Sequence, residues 1–455
     1  MSAEAPRDNP GFRPINLATG FFRSFHPRAM PPMLRRNYAR ELSAFAILPL
    51  MLGGLQSGTM AVVLKKTFND VPGIDPSTLD FAVATMGAST ALGNLTSGIW
   101  ASMANGRRKV RFITALMLTT ALTVGLMALV PRTAMGAWML VAMVVIGWTT
   151  WSGVITIRTS VWRANYPDAD RAKIAGKLAT MQAIMLAIAG FVIGASLDIS
   201  PNAFRVVFPL LAATGLLGIL IFSRVRLRGQ NRVARLERSD HGRRNTSINP
   251  LATIRILRDD PAYAKYMICQ FIFGVGNLMI APTIAIILDN EFSASYLSAL
   301  LITSIIPPLM MPLAIPLWAR FLDRVHVIRY RAVHSWAFVL ASLLMLLGVE
   351  LHHFWLLMLG SAVLGIGFAG GMLAWNLGHQ HFAPPHLDMQ YMSVHVILTG
   401  IRGVFAPYLG VFIYVSFAAY GHGGLVYAVS LVLNIIGAIG FILLSRQLKP
   451  TRSER

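Results

Sequence analysis

Arg402 stands about ten residues into a membrane-length run of apolar side chains. A guanidinium carries five donors in one plane and grips a carboxylate or a phosphate through two parallel bonds. A charge placed there is costly unless it faces a cavity or another helix. A structural use competes with ligand binding: bonds to carbonyls loosened by Gly400, Gly403 and Pro407, or to Asp388. Amides also interrupt the apolar runs at Gln56, Asn94, Gln182, Gln270, Asn277, Asn376 and Asn434. Each serves either a ligand or a neighbouring helix. The run Trp148-Thr149-Thr150-Trp151 adds ring faces and hydroxyls suited to stacking and hydrogen bonding. The side chains expected to meet a small polar ligand are Gln56, Trp148, Trp151, Gln182, Gln270, Asn277, Asn376 and Arg402.

Acidic residues are instructive by position. All 19 lie in expected loops or near the ends of apolar runs, with Glu41, Asp80, Asp198 and Glu350 coming closest to the interior. A mid-membrane carboxylate is a common proton carrier; in its absence the fallback is His395. The single cysteine, Cys269, permits neither an intrachain disulfide nor a cysteine metal cluster. His379, His381, His386 and Asp388, and likewise Glu350, His352 and His353, follow no standard metal spacing. Gly365-Ile-Gly367-Phe-Ala-Gly370 matches a dinucleotide fingerprint on paper, but it lies in an apolar helix with no preceding strand and reads as helix packing. No nucleophile–base pair stands out, so neither an enzyme nor a cofactor is expected.

The elements that position these residues follow from composition. The chain has 455 residues, 55% of them apolar or aromatic and only 13% charged, with a net charge of +21; mean hydropathy is +0.59. A soluble domain carries about twice that charged share, so a basic nucleic-acid-binding protein and a cytosolic enzyme are both excluded. Runs of about 20 apolar residues span a bilayer. They predict twelve helices, near 42–64, 79–102, 112–130, 137–157, 178–199, 204–223, 264–288, 297–318, 332–351, 355–377, 392–418 and 424–445. With the N-terminus placed in the cytoplasm, 35 basic residues fall on that side. Lys65, Lys66, Arg132 and Arg205 fall outside, and Arg402 remains within a span. This is the positive-inside pattern, with both termini cytoplasmic. Proline at 307, 308, 312 and 316 predicts a bent eighth helix.

The predicted organisation is a cytoplasmic arm over 1–41, six helices over 42–223, a basic linker over 224–263, six helices over 264–445 and a tail over 446–455. Arg224, Arg226, Arg228, Arg232, Arg235, Arg238, Arg243 and Arg244 suit the linker to anionic lipid headgroups. The arm mixes Phe21, Phe22 and Phe25 with Arg23, Arg28, Arg35 and Arg36 and could form an amphipathic interfacial element. No secretory signal is expected at the start of the chain. A shift of 220 residues sets Gly147 on Gly367, Lys109 on Arg329, Arg111 on Arg331 and Gln182 on Arg402, a pseudo-repeat of the two halves.

With these features the chain resembles the major facilitator superfamily over roughly residues 40–446. The family signature between helices 2 and 3, G-x-x-x-D-R-x-G-R-[KR], survives here as Gly106-Arg107-Arg108-Lys109, with Gly98 one position too distant and the Asp-Arg pair missing. The equivalent loop between helices 8 and 9 keeps Asp323-Arg324. Helix 5 offers Gly190-x-x-x-Gly194 in place of the antiporters' proline-glycine signature. The resemblance implies helices 1, 4, 7 and 10 around a central cavity. It also implies a cytoplasmic gate at Gly106, Arg107, Arg108, Lys109, Asp323 and Arg324. Plain topology anchoring is the other use of those charges. The expected protein is an all-α, multi-pass, monomeric secondary or facilitative transporter of the bacterial inner membrane, working by alternating access on a small anionic or zwitterionic molecule. The other reading is a non-transporting sensor or assembly factor on the same fold.

Overall fold

The computed structural model describes residues 23–239, 250–384 and 387–447, and the described residues form helices with no strands. A proline-led helix α1 (Pro32–Phe45) is followed by α2 (Leu48–Gly53) and α3 (Ser57–Phe68), which together make one interrupted span. Next come α4 (Pro76–Leu95), α5 (Ser97–Ala104), α6 (Lys109–Leu126), α7 (Ala134–Asn165), α8 (Asp168–Ile199) and α9 (Phe204–Phe222). Two short helices, α10 (Gln230–Ser239) and α11 (Pro250–Asp259), flank the undescribed part of the linker. The C-terminal set is α12 (Pro261–Asn290), α13 (Tyr296–Leu300), a π-helical turn over Leu301–Ile305, α14 (Ile306–Leu322), α15 (Val327–Glu350), α16 (Phe354–Leu377), α17 (Asp388–Ala418) and α18 (Leu425–Gln447).

Local chemistry sets the starts. Asp75 accepts the Thr78 N–H at 3.1 Å ahead of Pro76. Thr133 accepts the Gly136 N–H at 3.2 Å, and Asp260 accepts the Tyr263 N–H at 2.9 Å ahead of Pro261. Each satisfies one of the orphan donors of a helix N-terminus. Large apolar side chains face outward along whole helices, such as Leu210, Leu216, Leu217 and Leu220 on α9. Such a surface needs a lipid solvent.

Among the described residues, eleven helices are long and apolar enough to cross a membrane. The sequence predicts twelve, and the difference lies in the segment 79–102. It folds as α4 and α5, broken at Thr96, and its polar content is used for packing. Ser57 meets Ser89 at 3.3 Å and Thr90 at 3.2 Å. Trp100 Nε1 donates to Thr149 O at 2.8 Å, and Ser152 to Gly93 O at 2.8 Å, so the break is fastened to α7.

Several residues assigned to loops by charge lie in helices. Lys65 and Lys66 form the last turn of α3, and Lys65 is 1% exposed. Arg158 is inside α7, with its guanidinium over Phe45 and Trp162. Arg331, counted with the loop ahead of helix 9, lies in the first turns of α15 and is 2% exposed. Its partner in the 220-residue shift, Arg111, is exposed, so the repeat does not extend to the chemistry of that position. The expected interfacial arm also differs. Phe21 and Phe22 lie outside the described residues, but Met30, Leu34 and Tyr38 pack with Tyr166, Ile174 and Leu178 in a small core of their own. Tyr38 donates to Phe25 O at 2.9 Å.

The glycine run of α16 proves to be a packing face. A Cβ on Gly367 would meet the Phe338 ring at 2.8 Å, and one on Gly370 would meet Tyr330 and His334.

Candidate functional site

The N-terminal set (α1–α9) and the C-terminal set (α12–α18) meet along α4 with α17, α8 with α13 and α14, and α3 with α12. The hydrogen bonds joining them gather at the end of the bundle opposite the termini, called distal here. Lys66 Nζ lies 2.9 Å from Asp289 Oδ1 and 5.2 Å from the Tyr296 ring centre. Thr67 Oγ1 and Tyr296 Oη are 3.2 Å apart. Asp198 accepts the Tyr296 and Leu297 N–H groups at 2.6 and 3.1 Å. Thr85 Oγ1 and Tyr408 Oη are 2.9 Å apart. Below them Gly58 abuts the π-helical turn, where a Cβ would sit 2.8 Å from Thr303 O. The eighth helix, expected to bend at its prolines, carries this π-helical turn immediately ahead of Pro307 and Pro308.

The expected gate residues occupy the opposite, terminal end. Gly106 turns the chain with φ +67°, a conformation glycine adopts without steric cost. Arg107 stacks over Phe112 at 5.7 Å, and Arg108 is exposed at the start of α6. Lys109 donates to Ala104 O at 2.8 Å, a cation on the carbonyl end of α5. Asp323 and Arg324 are exposed beyond α14. Among the described residues, no hydrogen bond joins Asp323 or Arg324 to Arg107 or Arg108.

Most of the residues expected to meet a ligand lie between the two ends, while Asn376 is in the last turn of α16. Gln56 sits in the non-helical step between α2 and α3, half-buried, with Oε1 unpartnered; Trp148 Nε1 caps that step by donating to Leu55 O at 2.7 Å. Gln182 is half-buried on α8. Trp151 is 2% exposed and packed into the main core, facing helices and no open space. Asn376 is exposed, and its Nδ2 donates to Met372 O on its own helix. Asn277 and Gln270 on α12 each hold a buried, unpartnered side-chain oxygen.

Arg402 is 6% exposed. Its Nη1 donates to Gln270 O and its Nη2 to Thr399 Oγ1 at 3.2 Å, while Nε has no partner. Gly274 on α12 makes the space, because a Cβ there would collide with the guanidinium. The arginine is thus held in place by neutral groups.

Sequence reasoning missed the second member of this site. Arg331 on α15 lies within electrostatic reach of Arg402. Its Nη1 faces His334 Nδ1 at 3.3 Å, and His334 Nε2 donates to Gly367 O at 2.8 Å. That bond leaves Nδ1 as an acceptor and so fixes the tautomer. Trp318, Tyr330 and Phe338 enclose the imidazole, with ring centres 5.0 to 5.4 Å away. Arg331 also lies over Phe273 at 6.0 Å, and its Nε is unpartnered. The signal was available as Arg331-x-x-His334 and Tyr330-x-x-x-His334, spacings that share one helix face. His395 completes the cluster; it is fully buried, edge-on to Trp375 at 5.8 Å, and neither ring nitrogen has a partner. Two buried guanidiniums therefore lie within electrostatic reach of each other, with no carboxylate in ion-pair contact among the described residues.

Solved structures share this architecture. A nucleoside transporter, NupG, matches over 91% of this chain and 100% of its own, with a TM-score of 0.64 at 13% identity. A D-xylose-proton symporter matches over 90% and 98%, at 0.65 and 14%. A bacterial homolog of the human lysosomal transporter Spinster, in an inward-facing and occupied conformation, matches over 90% and 96%, at 0.64 and 15%. At such identities the likeness is one of fold. No curated protein matches the sequence. The family model described as Major Facilitator Superfamily matches residues 42–275 and 266–455, which together cover α2 to α18 and the linker. The chain is a multi-pass membrane protein belonging to the Major Facilitator Superfamily.

Proposed function

We propose that this protein is a secondary transporter that carries a small anionic or zwitterionic molecule across the membrane by alternating access. The observation that carries the reading is the Arg331–Arg402 pair. Two buried cations without a carboxylate cost several kcal/mol, a penalty that a bound anion offsets. Arg402 already spends two of its nitrogens on neutral acceptors, and the unpartnered Nε groups of both arginines are donors for a carboxylate or phosphate. Gln56, Gln182, Gln270 and Asn277 supply neutral polar contacts around it, with Trp148 as a wall.

In this reading α4 and α5 together form the twelfth span, and the two six-helix sets rock against each other about the central site. The charge distribution supports a cytoplasmic placement of both termini, and the proposed location is a bacterial inner membrane. The distal end is then the outer one, and the bonds that join the two sets there support reading it as the closed side. Gly106 to Lys109, Asp323 and Arg324 would approach each other when the site faces outward.

The test is uptake by purified protein in liposomes, against a panel of mono- and dicarboxylates, phosphate esters, amino acids, sugars and cations. Accumulation of one or more anions, abolished by Arg402→Ala at equal reconstitution, is expected. Uptake confined to cations or neutral sugars, or unchanged in Arg402→Ala, overturns the site.

A further inference from the structure

A second basic site lies away from the central one, at the terminal end of the N-terminal set. The end of α7, the start of α8 and the segment leaving α9 line an open cleft of about 390 Å³. Its polar lining comes from Arg163, Asn165, Tyr166, Arg171 and Arg228, and no carboxylate is among the lining residues. Asn165 is 1% exposed. Its Oδ1 accepts the Arg228 N–H at 3.1 Å, which fixes the orientation of the amide. The Nδ2 group on the other side of that amide is buried and has no partner.

The surrounding groups are held in place. Arg171 Nη2 donates to Tyr166 O at 3.1 Å, and the Arg228 guanidinium donates to Met33 O. The Tyr166 hydroxyl is committed to Glu41 Oε1 at 2.7 Å, so that carboxylate is engaged outside the cavity. Pro167 is the N-cap of α8 and supplies no side-chain cap, so the N-terminus of a 32-residue helix that opens with Asp168 lies beside the cavity. Asp170 sits on the first turn of α8 and is not part of the lining.

We propose that this cavity binds a phosphate group, presented either by an anionic phospholipid headgroup or by a soluble phosphate ester. Arginine forks match phosphate oxygens in pairs. The Asn165 amide supplies a directional donor, and basic pockets among helix ends at the membrane surface suit headgroups. Among the described lining residues a cation would meet three guanidiniums and no carboxylate. Bound phosphate would join α7, α8 and the start of the linker at Arg228, so occupancy stiffens the junction from which the linker leaves.

The experiment uses full-length protein in detergent, read by native mass spectrometry and thermal shift. The probes are short-chain phosphatidylglycerol, phosphatidylcholine of the same chain length, and sodium phosphate against sodium chloride at equal ionic strength. Asn165→Asp is the central variant, because its carboxylate still accepts the Arg228 N–H while placing a negative charge where Nδ2 now sits. Wild type is expected to bind phosphatidylglycerol or phosphate, and Asn165→Asp to weaken that binding by about tenfold or more. Retained phosphatidylglycerol with no response to phosphate identifies a headgroup; stabilisation by phosphate identifies a soluble ester. Arg163→Gln, at an exposed position, repeats the test should Asn165→Asp fail to fold. Binding equal to wild type in a folded variant, or no binding by wild type, overturns the proposal. Neither result bears on transport.

Discussion

Lys66 Nζ lies 2.9 Å from Asp289 Oδ1, joining the last turn of α3 to the end of α12. Its neighbour Lys65 pairs instead with Asp80 at 2.7 Å, inside its own helix set. Two consecutive lysines therefore do different work: one braces α3 against α4, and the other holds the two sets together. Removing Lys66 leaves Asp289 facing the seal without a counter-charge. Discounted for partial exposure, the loss is about 2 kcal/mol, or roughly thirtyfold in the balance between closed and open distal ends. In Lys66→Ala, spin labels at Asp70 and Ser293 should report a new population at longer separation. An unchanged distance distribution would show that the ion pair does not hold the seal.

Gly58 should act in the same direction by sterics alone. An added Cβ would lie 2.8 Å from Thr303 O and 2.9 Å from Ser304 Oγ, too close for the π-helical turn to stay seated. Gly58→Ala is expected to open the distal end, measured by alkylation of a cysteine placed at Thr303. Gly400→Ala is the control, since its Cβ would meet only a leucine methyl, Leu95 Cδ2, at 3.3 Å. Equal labelling in the two variants would remove the special role given to the α3–π-turn contact.

Arg402 and Gly274 form a lock that substitution can probe from either side. Arg402→Lys keeps the charge but loses the planar fork, so transport of the proposed anionic substrate should fall by about a hundredfold, equivalent to about 3 kcal/mol. Gly274→Ala leaves the arginine present and pushes its guanidinium off Gln270 O. It should raise KM for uptake while protein yield and elution profile stay normal. A KM like wild type in Gly274→Ala would mean that the guanidinium position seen here is not the one used for binding.

Glu41 is fully buried and accepts from Trp162 Nε1 at 2.6 Å and Tyr166 Oη at 2.7 Å, with Arg158 in electrostatic reach. Glu41→Ala strands both donors and the buried cation and should cost about 3–5 kcal/mol of stability. Adding Arg158→Met removes the stranded charge and should recover part of the loss. Thermal unfolding of the three proteins in one detergent checks the order wild type, double variant, Glu41→Ala. A double variant less stable than Glu41→Ala would break the coupling.

Most helices were legible because a bilayer demands about 20 apolar residues in a row and the runs stand clear of one another. Segment 76–104 is the instructive exception. Its serines and threonines bond to α3 and α7, and a hydropathy average cannot tell a polar group satisfied inside a bundle from one in water. The position of Arg402 was readable for the same reason, since it interrupts an apolar run. Arg331 was not, because five residues from a helix start it looks like every other basic residue at a membrane edge. Its neighbours are Phe273, on a helix far earlier in the chain, and His334, which is itself seated against Gly367 and Gly370 on a later one. Glu41 was masked likewise: only the return of α7 brings Trp162 and Tyr166 to it. Residues whose role depends on a contact more than 30 positions away leave little local trace.

The Arg331–Arg402 pair also has an electrical consequence. In the proposed cycle the empty site, with no carboxylate in ion-pair contact among the described residues, would hold fixed positive charge in the membrane, and the anion-occupied site would be closer to neutral. A membrane potential acts on displaced charge at about 2.3 kcal/mol per unit charge per 100 mV. Voltage would therefore weigh on the return of the empty carrier more than on the loaded passage, and the cell's own potential would set the pace of the cycle through the half in which nothing is carried.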